Sequence, residues 1–459
     1  MIDFITFSIV ITLLIGAGLY QSKRIKSESG YLFAGRKTRA AALTATLVMT
    51  EFNSATLISF SSLGYAAGFW ALMLPFIFLI GLLFYAAMVA KKWKGFDGLS
   101  VAGFFSSRYG CDIGSYASIL LLIAMLGFSA AYIKSLTLIF QPLLPSMSPW
   151  MISGCLFVLV LAMSLRGGLI AIIRTDILSA IFTILFFPLV AFFMWKSSSL
   201  PPISYPVSFC SSEILPFRFV FSLTILTMFT YILAPWYGQK IFAAENGKIA
   251  FRSVIAAALI IFLLYGSAIL ATAFFRYRGF ESPSQDAALP HLINQCLPTG
   301  LRGFAYALLF ATSATTLTGI WSAMSAMWIG DFSKRAGTNI SCKRSILSTL
   351  GFAVIAFFLA NTLVDKVFDK LILANIPIAA LSFGLLAGFY WKRASRSGVV
   401  LSILMGCFCG IGSYWIFGEK GGYTWYWAVY GIPLTFLTGI LGTILFPEKK
   451  SLPTSSIQT

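Results

Sequence analysis

Apolar stretches recur along this chain from its first residues almost to its last, each about as long as a bilayer's hydrocarbon is thick. A helix that crosses about 30 Å of hydrocarbon needs about 20 apolar residues, because only a helix or a closed barrel satisfies its own backbone there. Thirteen such stretches can be read, at 3–20, 39–65, 69–90, 115–142, 148–165, 169–195, 214–236, 250–276, 300–328, 345–365, 368–390, 396–417 and 424–446. The second, fourth and ninth exceed a straight crossing, which predicts tilt or a break. With 10% charged residues and a mean hydropathy of +0.87, the sequence cannot build a water-facing surface, for which about 25% charge is ordinary. The expected fold class is an all-α membrane protein of about 13 transmembrane helices.

Its 33 Lys and Arg against 15 Asp and Glu leave a net charge of +18. Such an excess could serve nucleic acid. Here the basic residues form short clusters between apolar runs, as orientation signals do and phosphate-binding faces do not. Segments 21–39, 91–110, 166–174, 240–252, 334–344, 392–396 and 449–450, all on one side, hold 24 of the 33. Positive charge marks the cytoplasmic side, so the N-terminus is expected outside a cell membrane and the C-terminus inside. An odd number of crossings puts the termini on opposite sides, and the charge count agrees. Met1, Ile2 and Asp3 lead directly into the first apolar run, with no basic n-region or small-residue cleavage site, so it reads as a retained helix. The polar tail 447–459 is expected to be a disordered cytoplasmic end.

The seven cysteines are scattered without a CxxC pair, and Cys407 and Cys409 read as core. Cys210 and Cys296 both fall in loops expected outside and could form a disulfide. The one histidine, His291, excludes chemistry that needs several imidazoles. A membrane enzyme would need a clustered His, Cys or Asp set, and the sequence holds none, so no catalytic role is expected.

Ionisable groups inside spans are costly and are functional candidates by default. Glu51 interrupts the second apolar run within Thr50-Glu51-Phe52-Asn53-Ser54. It reads either as a boundary residue or as part of a broken helix that offers free carbonyls to an ion. Lys134 in the fourth span either snorkels to the interface or pairs with Glu51 or an anionic solute. Asp176 begins the sixth span, where a carboxylate suits the helix dipole on its own account. The ninth span carries Thr312-Ser313-Ala314-Thr315-Thr316-Leu317-Thr318. Single hydroxyls usually bond back to their own helix, but this density supplies the oxygens that a hard cation such as sodium requires.

Several segments, in order along almost the whole chain, are similar to those of the sodium/solute symporters. Tyr31-Leu32-Phe33-Ala34-Gly35-Arg36 resembles "YFLAGR", and Gly64-Tyr65-Ala66-Ala67-Gly68 resembles "aYxxG". Leu99-Ser100-Val101-Ala102 with Arg108-Tyr109-Gly110 resembles the family's first cytoplasmic loop. Gly167-Gly168-Leu169 through Thr175-Asp176 resembles "GG-x-A-xxx-TD" with one residue more before the alanine, and Gln239-Lys240 with Ala243-Ala244 resembles "QR-xx-AA". Asp286-Ala287-Ala288-Leu289-Pro290 through Leu297-Pro298, Gly300-Leu301 and Gly303 completes the series.

The resemblance implies a LeuT-like core of two inverted five-helix repeats, at 39–195 and 214–390. Residues 1–38 would precede it as an extra helix and loop, and 396–446 would follow as two more helices. It implies one sodium ion held by the carbonyls of Met49, Phe52 and Thr312 and the hydroxyls of Thr315 and Thr316; a register one residue later would choose Thr50 and Asn53. It puts Asp176 on the ion's exit path. Glu51, Thr56, Lys134, Thr227, Thr230 and Tyr231 would line the solute site. Ser59, where the family commonly has glycine, and the lack of amides in Thr227-Met228-Phe229-Thr230-Tyr231 count against a sugar. The expected activity is sodium-coupled symport of a small solute, an amino acid or another small carboxylate, by alternating access. Proton-coupled or uncoupled transport on the same scaffold is the alternative, with Glu51 as proton carrier; a membrane sensor is a further one, for which no output domain follows. The expected partners are the solute, sodium and the bilayer, without nucleic acid, and the sequence leaves oligomeric state open.

Overall fold

In a computed structural model, residues 1–22, 36–98, 100–196, 213–333, 342–419 and 422–448 are described. Among them there is no strand, only an isolated bridge between Thr38 and Ala244. Helices α1 (Ile2–Ser22), α2 (Ala40–Glu51), α3 (Ser54–Ala67), α4 (Met73–Tyr85), α5 (Val101–Tyr109), α6 (Cys111–Phe140) and α7 (Pro149–Lys196) form the first part. Then follow α8 (Phe217–Tyr231), α9 (Pro235–Phe242), α10 (Gly247–Tyr277), α11 (Leu301–Trp328) and α12 (Cys342–Thr362). Shorter helices lie between Val367 and Tyr390, and two further apolar stretches span Arg396–Phe417 and Tyr423–Leu445.

Among the described residues nine helices are long and apolar enough to cross a membrane, ten if the bent pair α8–α9 is one span. Shorter apolar helices cover Ile2–Leu13, Ala40–Glu51 and Pro149–Ser164. The length criterion thus does not reach the thirteen read from sequence. Large side chains such as Leu185, Leu263, Phe408 and Trp415 are exposed on the outside, as a lipid-facing surface requires. The hydroxyl-rich centre is buried.

One local expectation is met by a break and two change. The run 39–65 is two helices, because Phe52 and Asn53 adopt extended backbone between α2 and α3. The loop expected at 166–174 is helical, since α7 runs unbroken from Pro149 to Lys196. At about 1.5 Å per residue α7 is about 72 Å long, the length of the runs 148–165 and 169–195 laid end to end, with no turn between them to reverse the chain. Lys240, counted among the basic loops, is buried on α9. The Cys210–Cys296 pairing, the segment Tyr31–Gly35 and the tail beyond Glu448 lie outside the described residues.

Two broken helices set the architecture. Asn53 ends the first break as N-cap of α3, its side chain accepting from the Thr56 amide at 2.9 Å. The second break lies at Ile232–Ala234, and Pro235 starts α9 where its missing N–H costs nothing. The axes of α8 and α9 differ by 43°. Below the breaks, the Thr38 amide donates to the Ala243 carbonyl at 2.9 Å, and the Glu245 amide donates to the Thr38 carbonyl at 3.1 Å.

Candidate functional site

The first break frees backbone oxygens by diverting their usual donors. In an unbroken helix the Asn53 and Ser54 amides would bond the carbonyls of Met49 and Thr50. Instead Asn53 donates to the Tyr265 hydroxyl at 3.2 Å, and Ser54 donates to the Ser313 hydroxyl at 3.1 Å. The Thr56 amide is taken by Asn53, so the Phe52 carbonyl accepts nothing among the described residues. The Glu51 carbonyl is satisfied by Tyr265 and by the Asn53 side chain at 2.7 Å. Such groups are tolerated at membrane depth only when protein or a polar cavity receives them.

α11 brings its hydroxyl run to this break. Thr316 Oγ1 lies 2.9 Å from the Met49 carbonyl and 2.8 Å from that of Thr312, while Thr315 Oγ1 lies 3.1 Å from the Thr312 carbonyl. Two carbonyls and two hydroxyls thus converge, with Phe52 at the neighbouring break. Of the two possible registers, the hydrogen bond joins Thr316 to Met49 and not to Thr50. The Asn53 carbonyl is bound by the Leu57 amide inside α3. All five residues are buried. Neutral oxygens that can open around an ion without moving a charge suit a monovalent hard cation.

Glu51 joins the two breaks. Its carboxylate accepts from the Tyr231 hydroxyl at 2.8 Å and from the Trp236 indole at 3.4 Å, one residue from each half of the bent pair. It is 5% exposed and forms no ion pair among the described residues. Rings surround it: Trp236 packs on Phe128 at 4.9 Å, and Tyr231 on Phe78 at 5.6 Å. The Thr56 amide donates to the Asn53 cap in the first turn of α3, while the hydroxyls of Thr227 and Thr230 return to carbonyls of their own helix.

Lys134 does not join this group. It stands about 100° round α6 from Ser135 and about 200° from Tyr132, the residues that face the break. It is half-buried and has no hydrogen bond or ion pair among the described residues, so the structure does not support its pairing with Glu51.

Asp176 is wholly buried and pairs with the Lys240 ammonium at 2.8 Å; it also accepts from the Thr46 hydroxyl. Lys240 donates further to the Thr46 carbonyl at 3.0 Å. This ties α2, α7 and α9 together one turn below Met49. Helix-dipole stabilisation alone does not describe such a carboxylate.

Some participants carry no mark in the sequence. Tyr265, Ser135 and Trp236 lie in apolar runs and reach the site only by packing. Pro235 within the run 214–236 was a usable signal for the second break. Lys240 was visible in Gln239-Lys240 but looked like one more loop charge.

Two interrupted helices packed centre to centre, inside a helical membrane bundle, define the class of LeuT-like secondary transporters. The sodium:solute symporter family matches residues 31–406, and the chain belongs to that family. Its activity is sodium-coupled secondary transport of a solute across a membrane. In structure it is similar to a sodium-coupled sialic acid symporter in a substrate-bound, outward-open state, with TM-score 0.77 and 18% identity over 98% of this chain and 99% of that one. It is also similar to MhsT bound to L-phenylalanine, with TM-score 0.51 and 14% identity over 88% and 98%. No curated protein matches it in sequence.

Proposed function

We propose that sodium binds among the carbonyls of Met49, Phe52 and Thr312 and the hydroxyls of Thr315 and Thr316, and that it drives uptake of an amino acid held at Glu51. The observation that carries this reading is the Thr316 hydroxyl on the Met49 carbonyl, which joins α11 to α2 at its break. Glu51 narrows the solute. An unpaired carboxylate among rings and neutral donors suits a solute bearing an ammonium group and disfavours a simple carboxylate. Thr56, Thr227, Thr230 and Tyr231 would complete that pocket.

In this reading 39–195 and 214–390 are inverted repeats, each opened by its broken helix, and the chain sits N-terminus out and C-terminus in. Sodium bound between α2 and α11 stabilises the outward arrangement and the solute site beside it. Rocking then exposes both inward. A charge falling through 100 mV yields about 2.3 kcal/mol, and a tenfold gradient about 1.4 more, enough for roughly 500-fold accumulation of a solute without net charge.

The test is a thermal-shift panel of amino acids, amines, small carboxylates and sugars, run in sodium and again in potassium. The substrate should stabilise the protein more in sodium, because binding linkage is reciprocal. Equal shifts in both salts would rule out sodium coupling at this site, and a shift with simple carboxylates but not amino acids would overturn the solute class.

A further inference from the structure

The last two apolar stretches, α13 (Arg396–Phe417) and α14 (Ile432–Leu445), run antiparallel and meet closely where α13 begins and α14 ends. Glycines allow it. A Cβ on Gly398 would lie 2.6 Å from the Gly439 carbonyl, and one on Gly442 would lie 2.9 Å from the Gly398 Cα. Small residues let membrane helices approach backbone to backbone. The larger side chains beside this seam then stand apart. Leu401, Leu404 and Phe408 of α13 face Leu441 and Leu445 of α14 across a groove of about 350 Å³, which Gly442 also lines. Spacing of three and four keeps each set on one helix face, so the groove follows the helices for about two turns, about 10 Å.

This groove offers nothing to a polar ligand. Thr438 is its one polar lining side chain, and its hydroxyl already donates to the Leu434 carbonyl at 2.8 Å and to that of Thr435 at 3.1 Å. Leu404, Phe408 and Leu445 are each more than half exposed on the outer surface, where hydrocarbon is the solvent. The mouth is different. The Ser395 amide donates to the Thr443 hydroxyl at 3.4 Å and the Arg396 amide to the Glu448 carboxylate at 2.9 Å, so the turn 392–395 sits at this end of both helices. Arg108 holds the turn from α5 by donating to the Lys392 carbonyl at 2.9 Å, and Arg396 pairs with Asp112. The side chains of Lys392 and Arg393 are exposed and form no hydrogen bond or ion pair among the described residues. Arg108, Lys392, Arg393 and Arg396 outnumber Asp112 and Glu448 here, so the mouth is positive.

We infer that this groove and turn form one site for an anionic phospholipid, with an acyl chain between α13 and α14 and the phosphate on Lys392 and Arg393. Charge selects the occupant. A zwitterionic lipid brings its own ammonium to a mouth that is already positive, whereas an anionic one meets the cations with nothing to repel. A second copy of the chain fits worse. A twofold axis through the groove, along the membrane normal, would set Lys392 and Arg393 against the same pair, and like charges brought together cost binding. Neither cation is engaged elsewhere, so both can take phosphate oxygens, Arg393 through two N–H groups at once. The bound lipid braces the turn that Arg108 ties to α5, and so stabilises the fold from outside the ion and solute sites.

The full chain in detergent is titrated with dioleoylphosphatidylglycerol, with dioleoylphosphatidylcholine and with glycerol phosphate, and the melting temperature is read at each concentration. The first should stabilise saturably, with a midpoint at least about tenfold below that of the second. Lys392→Gln with Arg393→Gln should erase this difference and leave the lipid-free melting temperature unchanged. Leu404→Trp, which fills the groove, should raise both lipid midpoints several-fold and keep the headgroup preference. Should it not fold, Leu441→Phe on the facing helix carries the same test. Equal midpoints for the two lipids in the wild type, or a preference that survives the double substitution, overturn the site. Lipid midpoints unmoved by filling the groove, or stabilisation by glycerol phosphate at the same concentrations, overturn the acyl chain's part in it. Native mass spectrometry that finds paired copies, separated by Leu404→Trp and indifferent to lipid, gives the groove to a second copy and overturns the proposal.

Discussion

The Thr316 hydroxyl on α11 and the Met49 carbonyl at the end of α2 lie 2.9 Å apart, although 267 residues separate them in the chain. The contact exists because Asn53 turns its amide to Tyr265 and leaves Met49 available. A side chain on one helix thus completes the backbone of another.

Thr316→Ala removes an oxygen from the proposed ion site and leaves the Met49 carbonyl without its donor. Sodium affinity in a titration of uptake should fall by at least about tenfold, since one such bond is worth about 1 kcal/mol and an unmet buried acceptor costs more. Thr316→Ser keeps the oxygen and should stay within a few-fold of wild type. Undiminished sodium stimulation in the alanine variant would remove Thr316 from the ion site.

Glu51→Gln retains shape but not charge, and its amide nitrogen would face a donor where the carboxylate accepted. We expect loss of solute-induced stabilisation, with sodium-induced stabilisation retained and a melting temperature lowered by a buried mismatch of about 1–3 kcal/mol. Solute uptake at the wild-type level would show that Glu51 takes no part in binding.

Tyr265→Phe deletes one oxygen that serves two backbone groups, the Glu51 carbonyl and the Asn53 amide. Both become unpaired at the break, for about 1–3 kcal/mol each. The expected result is a clear drop in thermal stability in detergent together with weaker sodium binding. A variant as stable as wild type would mean that the break is satisfied in another way.

At Gly81 on α4, a Cβ would come within 2.7 Å of both the Thr227 methyl and the Tyr231 ring. Gly81→Ala should push Tyr231 off Glu51 at an overpacking cost of about 1–3 kcal/mol. Solute affinity should fall while the sodium midpoint holds, as ligand titrations in both salts can measure.

The sequence exposed those parts of the fold that depend on local composition. Apolar runs locate helices because hydrocarbon tolerates nothing else, and the string Thr50–Ser54 betrayed the first break because polar groups crowd where a helix stops. The threonines at 315 and 316 stood out through their density. Packing supplied what no window of sequence contains: that Tyr265 and Trp236 meet Glu51, that Lys134 turns away from it, and that Lys240 folds inward. A lysine two turns from other basic residues looks identical whether water or Asp176 receives it. The continuous α7 was hidden for a similar reason, since Arg166, Gly167 and Gly168 mimic the punctuation of a loop.

The bridge at Thr38 has a mechanical meaning. Through its amide and its carbonyl this residue fastens the strap leading into α2 to the end of α9, one half of each interrupted helix. Neither half can swing alone without tearing two main-chain hydrogen bonds. This end of the bundle therefore behaves as a double door on one hinge pin, and a substitution to proline at Thr38, which deletes the donating half of the pin, should let the leaves part independently.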